Sequence, residues 1–266
     1  MPTPALITVV LATYNWPQAL DLCLQSLAQQ QDKHFEVVIA DDGSTSDTAD
    51  LIARHQSHFP VPLQHVWQPD AGFRKAKILN QAIAATRGDY LVFLDGDCLV
   101  QPDFMTQHRR LAQVGVMVTG SRILLAPALT QTLCAAGVWD YAVFSRQAWR
   151  LRLQGQMNKC LPLKLKLPDL ATRLYKKFVW SRIKGCNMSA WRDDVQHIRG
   201  FDESLEGWGH EDADFVFRLQ QAGVVRKSGS WATEVLHLWH PTASQESAAK
   251  NAAIVRAKIL QKRTQH

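Results

Sequence analysis

Three continuous apolar runs set the frame of this chain: residues 6–11 (Leu6-Ile7-Thr8-Val9-Val10-Leu11), 35–40 (Phe35-Glu36-Val37-Val38-Ile39-Ala40) and 90–94 (Tyr90-Leu91-Val92-Phe93-Leu94). Runs of this length, rich in β-branched residues, suit strands buried on both faces, and such strands belong to parallel sheets. Segments with helical spacing of apolar residues lie between them. One covers residues 17–30, with Leu20, Leu22, Cys23 and Leu27. A second covers about 47–55. A third covers 75–86, with Ile78, Leu79, Ala82 and Ile83. Residues 63–67 read as a short third strand and 115–122 as a fifth. Strand and helix alternate from the start. The fold class is therefore α/β, with a mostly parallel central sheet and helices on both faces.

The apolar runs end in acids. Asp41-Asp42-Gly43-Ser44 follows the second strand and Asp95-Gly96-Asp97 the fourth. Ligands of open α/β sheets bind outside the carboxyl ends of the strands. Two carboxylates one residue apart repel each other there unless a cation lies between them. Oxygen-rich sites of this kind suit Mn²⁺ or Mg²⁺, which bridge to substrate phosphates. A further acidic cluster, Trp208-Gly209-His210-Glu211-Asp212, opens a helix expected over 211–222 and offers a carboxylate that can act as a base. A metal-phosphate site with a base reads as a transferase.

Composition limits the alternatives. A chain of 266 residues with 46% hydrophobic and 20% charged residues can bury a full core. It holds no run of 18 apolar residues, so no membrane-spanning helix is expected. The N-terminus enters a strand without a basic region or cleavage site, so no signal peptide is expected. Five scattered cysteines (Cys23, Cys98, Cys134, Cys160 and Cys186) suggest a reducing cytosol, and their spacing is not that of a zinc site.

The net charge of +6 is uneven. Residues 146–184 hold eleven Lys/Arg and one acid, Asp169, a local +10 that leaves −4 for the rest. Such an excess calls for an anionic partner. Trp149, Tyr175, Phe178 and Trp180 mix with Leu rather than forming a stacking platform, which argues against nucleic acid. Leu161-Pro162-Leu163-Lys164-Leu165-Lys166-Leu167 suits an anionic membrane surface better. Residues 231–239 read as a late strand. Residues 244–265 read as an amphipathic helix with Ala248, Ile254, Ala257 and Ile259 on its apolar side.

Four segments together resemble the family-2 inverting glycosyltransferases of GT-A fold. They are Val9-Val10-Leu11-Ala12-Thr13-Tyr14-Asn15, Val38-Ile39-Ala40-Asp41-Asp42-Gly43-Ser44, Asp95-Gly96-Asp97 and Gly207-Trp208-Gly209-His210-Glu211-Asp212. The last is similar to the C-terminal motif of galactosyltransferase-type enzymes and bacterial chondroitin-polymerase domains. Lipopolysaccharide-core and capsule enzymes give the nearest likeness within the family.

The resemblance implies a division of labour. Residues 1–125 form the nucleotide-sugar-binding half and 126–184 a basic helical insertion facing membrane or acceptor. Residues 185–242 form the acceptor-binding and catalytic half, and 243–266 a C-terminal helix, all in one compact domain. Thr13, Tyr14 and Asn15 are expected to face the uracil of a UDP-sugar. Asp42, or Asp41, would accept its N3–H, since an ionised carboxylate only accepts. Arg74 would fork onto phosphate oxygens, ahead of Lys75 and Lys77. Asp97 would ligate Mn²⁺ or Mg²⁺, with Asp95 on the ribose or a metal-bound water and Gly96 between them. His237 or His240 would complete the metal shell. Asp212 would be the catalytic base, Glu211 would orient the acceptor, and Asp214 is a weaker third candidate. Trp208, Gly185 and Asn187 would line the acceptor site.

The implied activity is transfer of a hexose or N-acetylhexosamine from a UDP-sugar to a bacterial surface glycan or glycolipid. The implied setting is cytoplasmic, peripheral on the inner face of the inner membrane. A nucleotidyltransferase is disfavoured because no Gly-rich phosphate loop with a following Lys appears near residue 15. A non-catalytic sugar-binding protein is disfavoured because Asp95, Asp97, Glu211 and Asp212 are all present.

Overall fold

The computed structural model describes residues 3–180, 183–241 and 246–263, with side chains as far as Gln261. Its central sheet contains β1 (Ile7–Thr13), β2 (Phe35–Asp41), β3 (Leu63–Trp67) and β4 (Tyr90–Asp95). A short β5 (Cys98–Val100) leaves it, and β6 (Val116–Thr119) and β7 (Arg122–Leu124) follow. The later strands are β8 (Leu174–Tyr175), β9 (Asn187–Trp191), β10 (Val225–Ser228) and β11 (Val235–His237). The helices are α1 (Pro17–Ala28), α2 (Ser46–Gln56), α3 (Lys75–Ala85), α4 (Phe104–Leu111) and α5 (Pro127–Ala136). They continue with α6 (Tyr141–Leu153), α7 (Arg192–His197), α8 (Glu211–Gln221) and α9 (Ala248–Arg263).

Eight strands run in the order β3-β2-β1-β4-β9-β6-β10-β8, and β5-β11-β7 form a second small sheet. The first four strands are parallel, and β9 lies antiparallel between β4 and β6. The α/β reading therefore holds, with β9 reversed in the middle and β8 reversed at the edge beside β10.

Period-two alternation of side chains explains how the sheet is covered on both sides. Ile7, Val9 and Leu11 of β1 pack with Leu20, Leu24 and Leu27 of α1. Val10 faces the other way, toward Ile78 and Leu79 of α3 and Phe215 and Leu219 of α8. Phe93 of β4 seats this second layer, with ring centroids 5.3 Å from both Phe201 and Phe215. Register fixes the functional end. Ala12 pairs with Asp95 on one side and Ala40 on the other, and Thr13 pairs with Asp41. The chain thus leaves β1, β2 and β4 at one level.

Several expectations change. The single strand expected over 115–122 divides into β6 and β7, which join different sheets. The strand expected over 231–239 shrinks to β11. In α9 the inward face carries Asn251 and Val255, while Ala257 is exposed. That helix is anchored by polar contacts: Asn251 Nδ2 donates to the carbonyls of Glu206 and Gly209, each at 3.1 Å. Its expected ends at Ser244, Gln245, Thr264 and Gln265 lie outside the described residues, as does Arg182 of the basic segment.

Part of the basic segment is structural. Lys159 pairs with Glu234 and Lys166 with Asp103, each at 3.4 Å. Arg173 is buried and donates to the carbonyls of Leu167, Pro168, Ser228 and Ser230. Arg146 and Arg150 share an exposed face of α6 with Val143, Trp149 and Leu153 at helical spacing, and Leu161, Lys164, Leu165, Leu167, Lys176 and Lys177 are exposed beyond it. Among the described residues no helix is long and apolar enough to cross a membrane.

Candidate active site

The carboxyl ends of β1 and β4, the start of α8 and the β11 segment enclose a cleft of about 870 Å³. Thr13, Tyr14, Asp42, Asp95, Gly96, Asp97, Gly185, Trp208, Glu211, Asp212, His237 and His240 all line it. Segments from both ends of the chain, from Thr13 to His240, thus meet in one cleft.

Asp41 and Asp42 part company at the end of β2. Asp41 is fully buried and faces the sheet, where it accepts from Ser44 N–H at 2.8 Å and lies 3.0 Å from His65 Nε2. Burial would raise its pKa, but the His65 and Ser44 contacts outweigh that and lower it. Asp41 therefore holds the turn and does not reach the cleft. Asp42 does. It accepts from Gln68 Nε2 at 2.5 Å and from Arg74 N–H at 2.8 Å, and burial pushes its pKa up against those donors. Gly43, at φ +94°, lets the chain pass Asp70, since a Cβ there would lie 2.5 Å from the Asp70 backbone.

Asn15 is likewise a turn residue. It sits at φ +45°, its Oδ1 accepts from Thr45 N–H at 2.9 Å, and it does not line the cleft. Tyr14 beside it is half exposed and donates to Asp70 at 3.0 Å.

Arg74 was expected to reach the donor phosphates, yet its guanidinium turns back to the Pro69 carbonyl and stays out of the cleft. Lys75, one residue on, takes the place inside. Its Nζ lies 2.5 Å from Asp95 Oδ1. Burial works against its charge, but Asp95, Glu211 and Asp212 outweigh that and keep it strongly cationic.

Asp97 faces a different set of partners. His240 Nε2 lies 3.1 Å and His237 Nε2 3.6 Å from Asp97 Oδ2. Both histidines left open by the sequence are thus present, and one ligand atom from each of the three residues lies within 4.8 Å of the others. Burial raises the Asp97 pKa, and the His240 contact and the two imidazoles more than reverse it. The same contact raises His240. One carboxylate and two imidazoles fit a first-row transition dication such as Mn²⁺ better than Mg²⁺, which prefers oxygen donors throughout.

The opposite wall is the first turn of α8. The loop before it takes left-handed backbone at Gly207, Gly209 and His210 and carries Trp208 into the cleft. Acids in a helix's first turn meet the positive end of its dipole. Glu211 is 9% exposed, and its Oε2 is buried with no hydrogen-bond partner among the described residues. Burial, opposed by Lys75 and reinforced by Asp212, raises its pKa to about 7. Asp212 accepts from Ala213 N–H at 2.7 Å. A Cβ on Gly185 would come within 3.0 Å of the Asp212 Cβ, so the glycine keeps that carboxylate in place.

Asp214 is excluded as a base. It is fully buried between Arg218 and Lys258, each at 2.6 Å, and ties α8 to α9. Asn187 is also excluded from the acceptor site. It lies within β9, fully buried, and its Nδ2 donates to the Thr233 and Ser121 carbonyls.

Sequence reasoning missed part of the wall. Trp16, Trp180 and Trp239 join Trp208, and Arg122 and Lys184 supply cations. Trp239 lies between the two candidate metal-binding histidines, and the fold gathers the others beside it. It also missed a cysteine convergence: Cys98, Cys186 and His237 bring their ligand atoms within 4.8 Å of one another despite sequence spacing unlike a zinc site.

Two family models match the chain in succession. The model described as glycosyl transferase family 2 covers residues 8–124, and the one described as N-terminal domain of galactosyltransferase covers 170–240. A curated relative, validoxylamine A glucosyltransferase of Streptomyces hygroscopicus subsp. jinggangensis, is 27% identical over 255 residues. That alignment covers 87% of this chain and 56% of the relative, so the chain spans little more than half the relative's length. Among solved structures, the mannosyltransferase PcManGT of Pyrobaculum calidifontis, in complex with GDP-Man and Mn²⁺, superposes with a TM-score of 0.65 at 18% identity. It is covered over 65% of its chain and this protein over 98%. GalNAc-T7 with UDP, GalNAc and Mn²⁺ superposes with a TM-score of 0.65 at 15% identity, over 95% of this chain and 47% of that one. With both models matched in order on a GT-A architecture, the chain belongs to glycosyltransferase family 2 and carries a galactosyltransferase-type C-terminal part.

Proposed function

We propose that this protein is a Mn²⁺-dependent inverting glycosyltransferase that moves a hexose or N-acetylhexosamine from a UDP-sugar to a hydroxyl of a bacterial surface glycan or glycolipid. One observation carries the reading. Asp97 with two histidines and the Glu211–Asp212 pair line the same cleft, a metal-type donor set and a base in one space. GalNAc-T7, of like fold, holds UDP and Mn²⁺.

In this reading Asp42 accepts the uracil N–H at the end of β2. Asp97, His237 and His240 hold the cation, which when bound offsets the charge that develops on the departing diphosphate. Arg122 and Lys184 add charge-assisted donors for the same oxygens. Lys75 pairs with Asp95 and holds it in place for the ribose. Trp208 gives a sugar ring an apolar face. The unsatisfied Glu211 oxygen orients the acceptor hydroxyl, and Asp212 takes its proton as that oxygen attacks the anomeric carbon opposite UDP. The exposed Arg–Trp–Leu face of α6 would rest on an anionic leaflet, bringing a lipid-borne acceptor to the cleft.

The test is a panel of UDP-sugars and acceptors with Mn²⁺ present or chelated. UDP release that depends on both Mn²⁺ and acceptor, with product of inverted anomeric configuration by NMR, is expected. Metal-independent turnover or a retained anomer would sink the mechanism.

A further inference from the structure

Cys98 and Cys186 come from different halves of the chain. Cys98 opens β5 directly after Asp97, and Cys186 directly precedes β9. Both are buried, and the pairing of β5 with β11 sets Cys98 opposite His237. The two sulfurs and an imidazole nitrogen lie within 4.8 Å of one another. Metal–sulfur bonds of about 2.3 Å and metal–nitrogen bonds of about 2.0 Å need donors only a little closer than this. Cys186 and His237 also line the cleft, so a cation can enter from that side.

We propose that Cys98, Cys186 and His237 form a second cation site, selective for thiophilic dications of the Zn²⁺ class, that competes with the Asp97–His237–His240 set. Two thiolates and an imidazole are soft donors and disfavour Mn²⁺. On binding, both S–H protons pass to buffer and two metal–sulfur bonds form, leaving a fourth position toward the cleft. The two sets share one imidazole, and Cys98 Sγ lies 3.4 Å from Asp97 Oδ1. Dications at both would repel strongly at that range. A thiophilic ion therefore expels Mn²⁺, and loss of the Cys98 proton removes the S–H hydrogen bond donated to Asp97. The competition rests on the metal reading above; the thiolate site does not.

Cd²⁺ is the probe, added to the reduced full-length chain. Thiolate-to-Cd²⁺ absorption in the near ultraviolet should saturate at one equivalent. It should vanish in the double variant Cys98→Ser/Cys186→Ser and persist in Asp97→Ala and in Cys23→Ser/Cys134→Ser. Circular dichroism checks folding, and single Cys98→Ala and Cys186→Ala variants replace the double variant if it fails to fold. No one-equivalent band, or a band that survives loss of both cysteines, overturns the site. The electron paramagnetic resonance signal of free Mn²⁺ reads the competition. Cd²⁺ should release bound Mn²⁺ from wild type and need roughly tenfold more to do so in the cysteine variant. A normal band with Mn²⁺ still bound overturns the competition. Wild type that never binds Mn²⁺ overturns the metal reading, and the competition with it, while the band still decides the thiolate site.

Discussion

Replacing Glu211 by Gln should remove a pH dependence of stability whose sign and size follow from where the carboxylate sits. Glu211 is buried at the start of α8, and one of its oxygens has no hydrogen-bond partner among the described residues. Burial lifts its pKa from the ordinary 4.5 to about 7. The native state therefore holds this proton up to about pH 7, whereas the unfolded chain releases it near 4.5. Between those values the native state binds more protons, so stability falls as pH rises and the loss is complete above 7. At about 1.4 kcal/mol per tenfold change in proton affinity, the full cost is roughly 3 kcal/mol, of which roughly 2.5 kcal/mol falls between pH 5 and 8. Gln has the same shape and does not titrate. Urea unfolding of both proteins at steps from pH 5 to 8 gives the assay. The difference in unfolding free energy, variant minus wild type, should rise by roughly that amount across the range. The slope carries the test, because the Gln amide brings its own constant desolvation cost. A flat difference, or one falling with pH, would mean that Glu211 is solvated or paired in solution and that its unsatisfied oxygen is not a feature of the folded protein.

Three further changes probe the same cleft and its surroundings. Asp97→Ala should abolish Mn²⁺-dependent UDP binding in calorimetric titration while the thermal transition persists, and unchanged affinity would remove the metal role. Asp212→Asn should bind UDP-sugar normally and lose roughly 10²–10⁴ in transfer rate, the usual worth of a general base; near wild-type turnover would move the proton acceptance to Glu211. Replacing Arg146, Arg150 and Arg152 of α6 by Gln should weaken sedimentation with anionic vesicles, at about 1 kcal/mol for each basic residue engaged. Vesicle binding indifferent to salt and to these changes would leave the α6 face without a membrane role.

The parts of the fold that read clearly from sequence are those where one local rule governs. β1, β2 and β4 are long apolar runs, and α8 begins where acids follow two glycines. The site was harder wherever a polar residue had two possible employers. Asn15 and Asp41 lie in motifs expected to face a ligand, yet both serve the backbone of their own turns. Asn187 is expected at the acceptor site by the family resemblance of its segment alone. Instead it lies in a strand of only five residues, too short and mixed for its periodicity to be heard. Arg74 and Lys75 differ by one position at a helix start, and one residue is about 100° of rotation. That rotation decides which cation enters the cleft, and no composition rule reports it.

The same rotation explains why Asp95-Gly96-Asp97 needs only one metal-type partner. Two carboxylates one residue apart, past a buried strand, demand positive charge, and the sequence suggests a single cation between them. The fold instead divides the demand. Lys75 lies 2.5 Å from Asp95, and two histidines of the β11 segment face Asp97. The Lys75 ammonium is tethered to the chain, so the fold itself supplies Asp95 with a compensating charge. Asp97 instead faces two imidazoles, and the three side chains offer one donor atom each to a cation. Gly96 keeps the two arrangements close, its N–H donating to the Ala12 carbonyl at 2.7 Å while a Cβ there would lie 3.1 Å from that same oxygen. Lys75 also feels Glu211 and Asp212. Its ammonium therefore links the carboxylate at the end of β4 to the pair at the start of α8, and removing it as Lys75→Met should raise the Glu211 pKa above 7. The pH-dependent slope defined for Glu211→Gln would then shift to higher pH in the Lys75→Met background. If it stayed in place, the two walls of the cleft would be electrostatically separate.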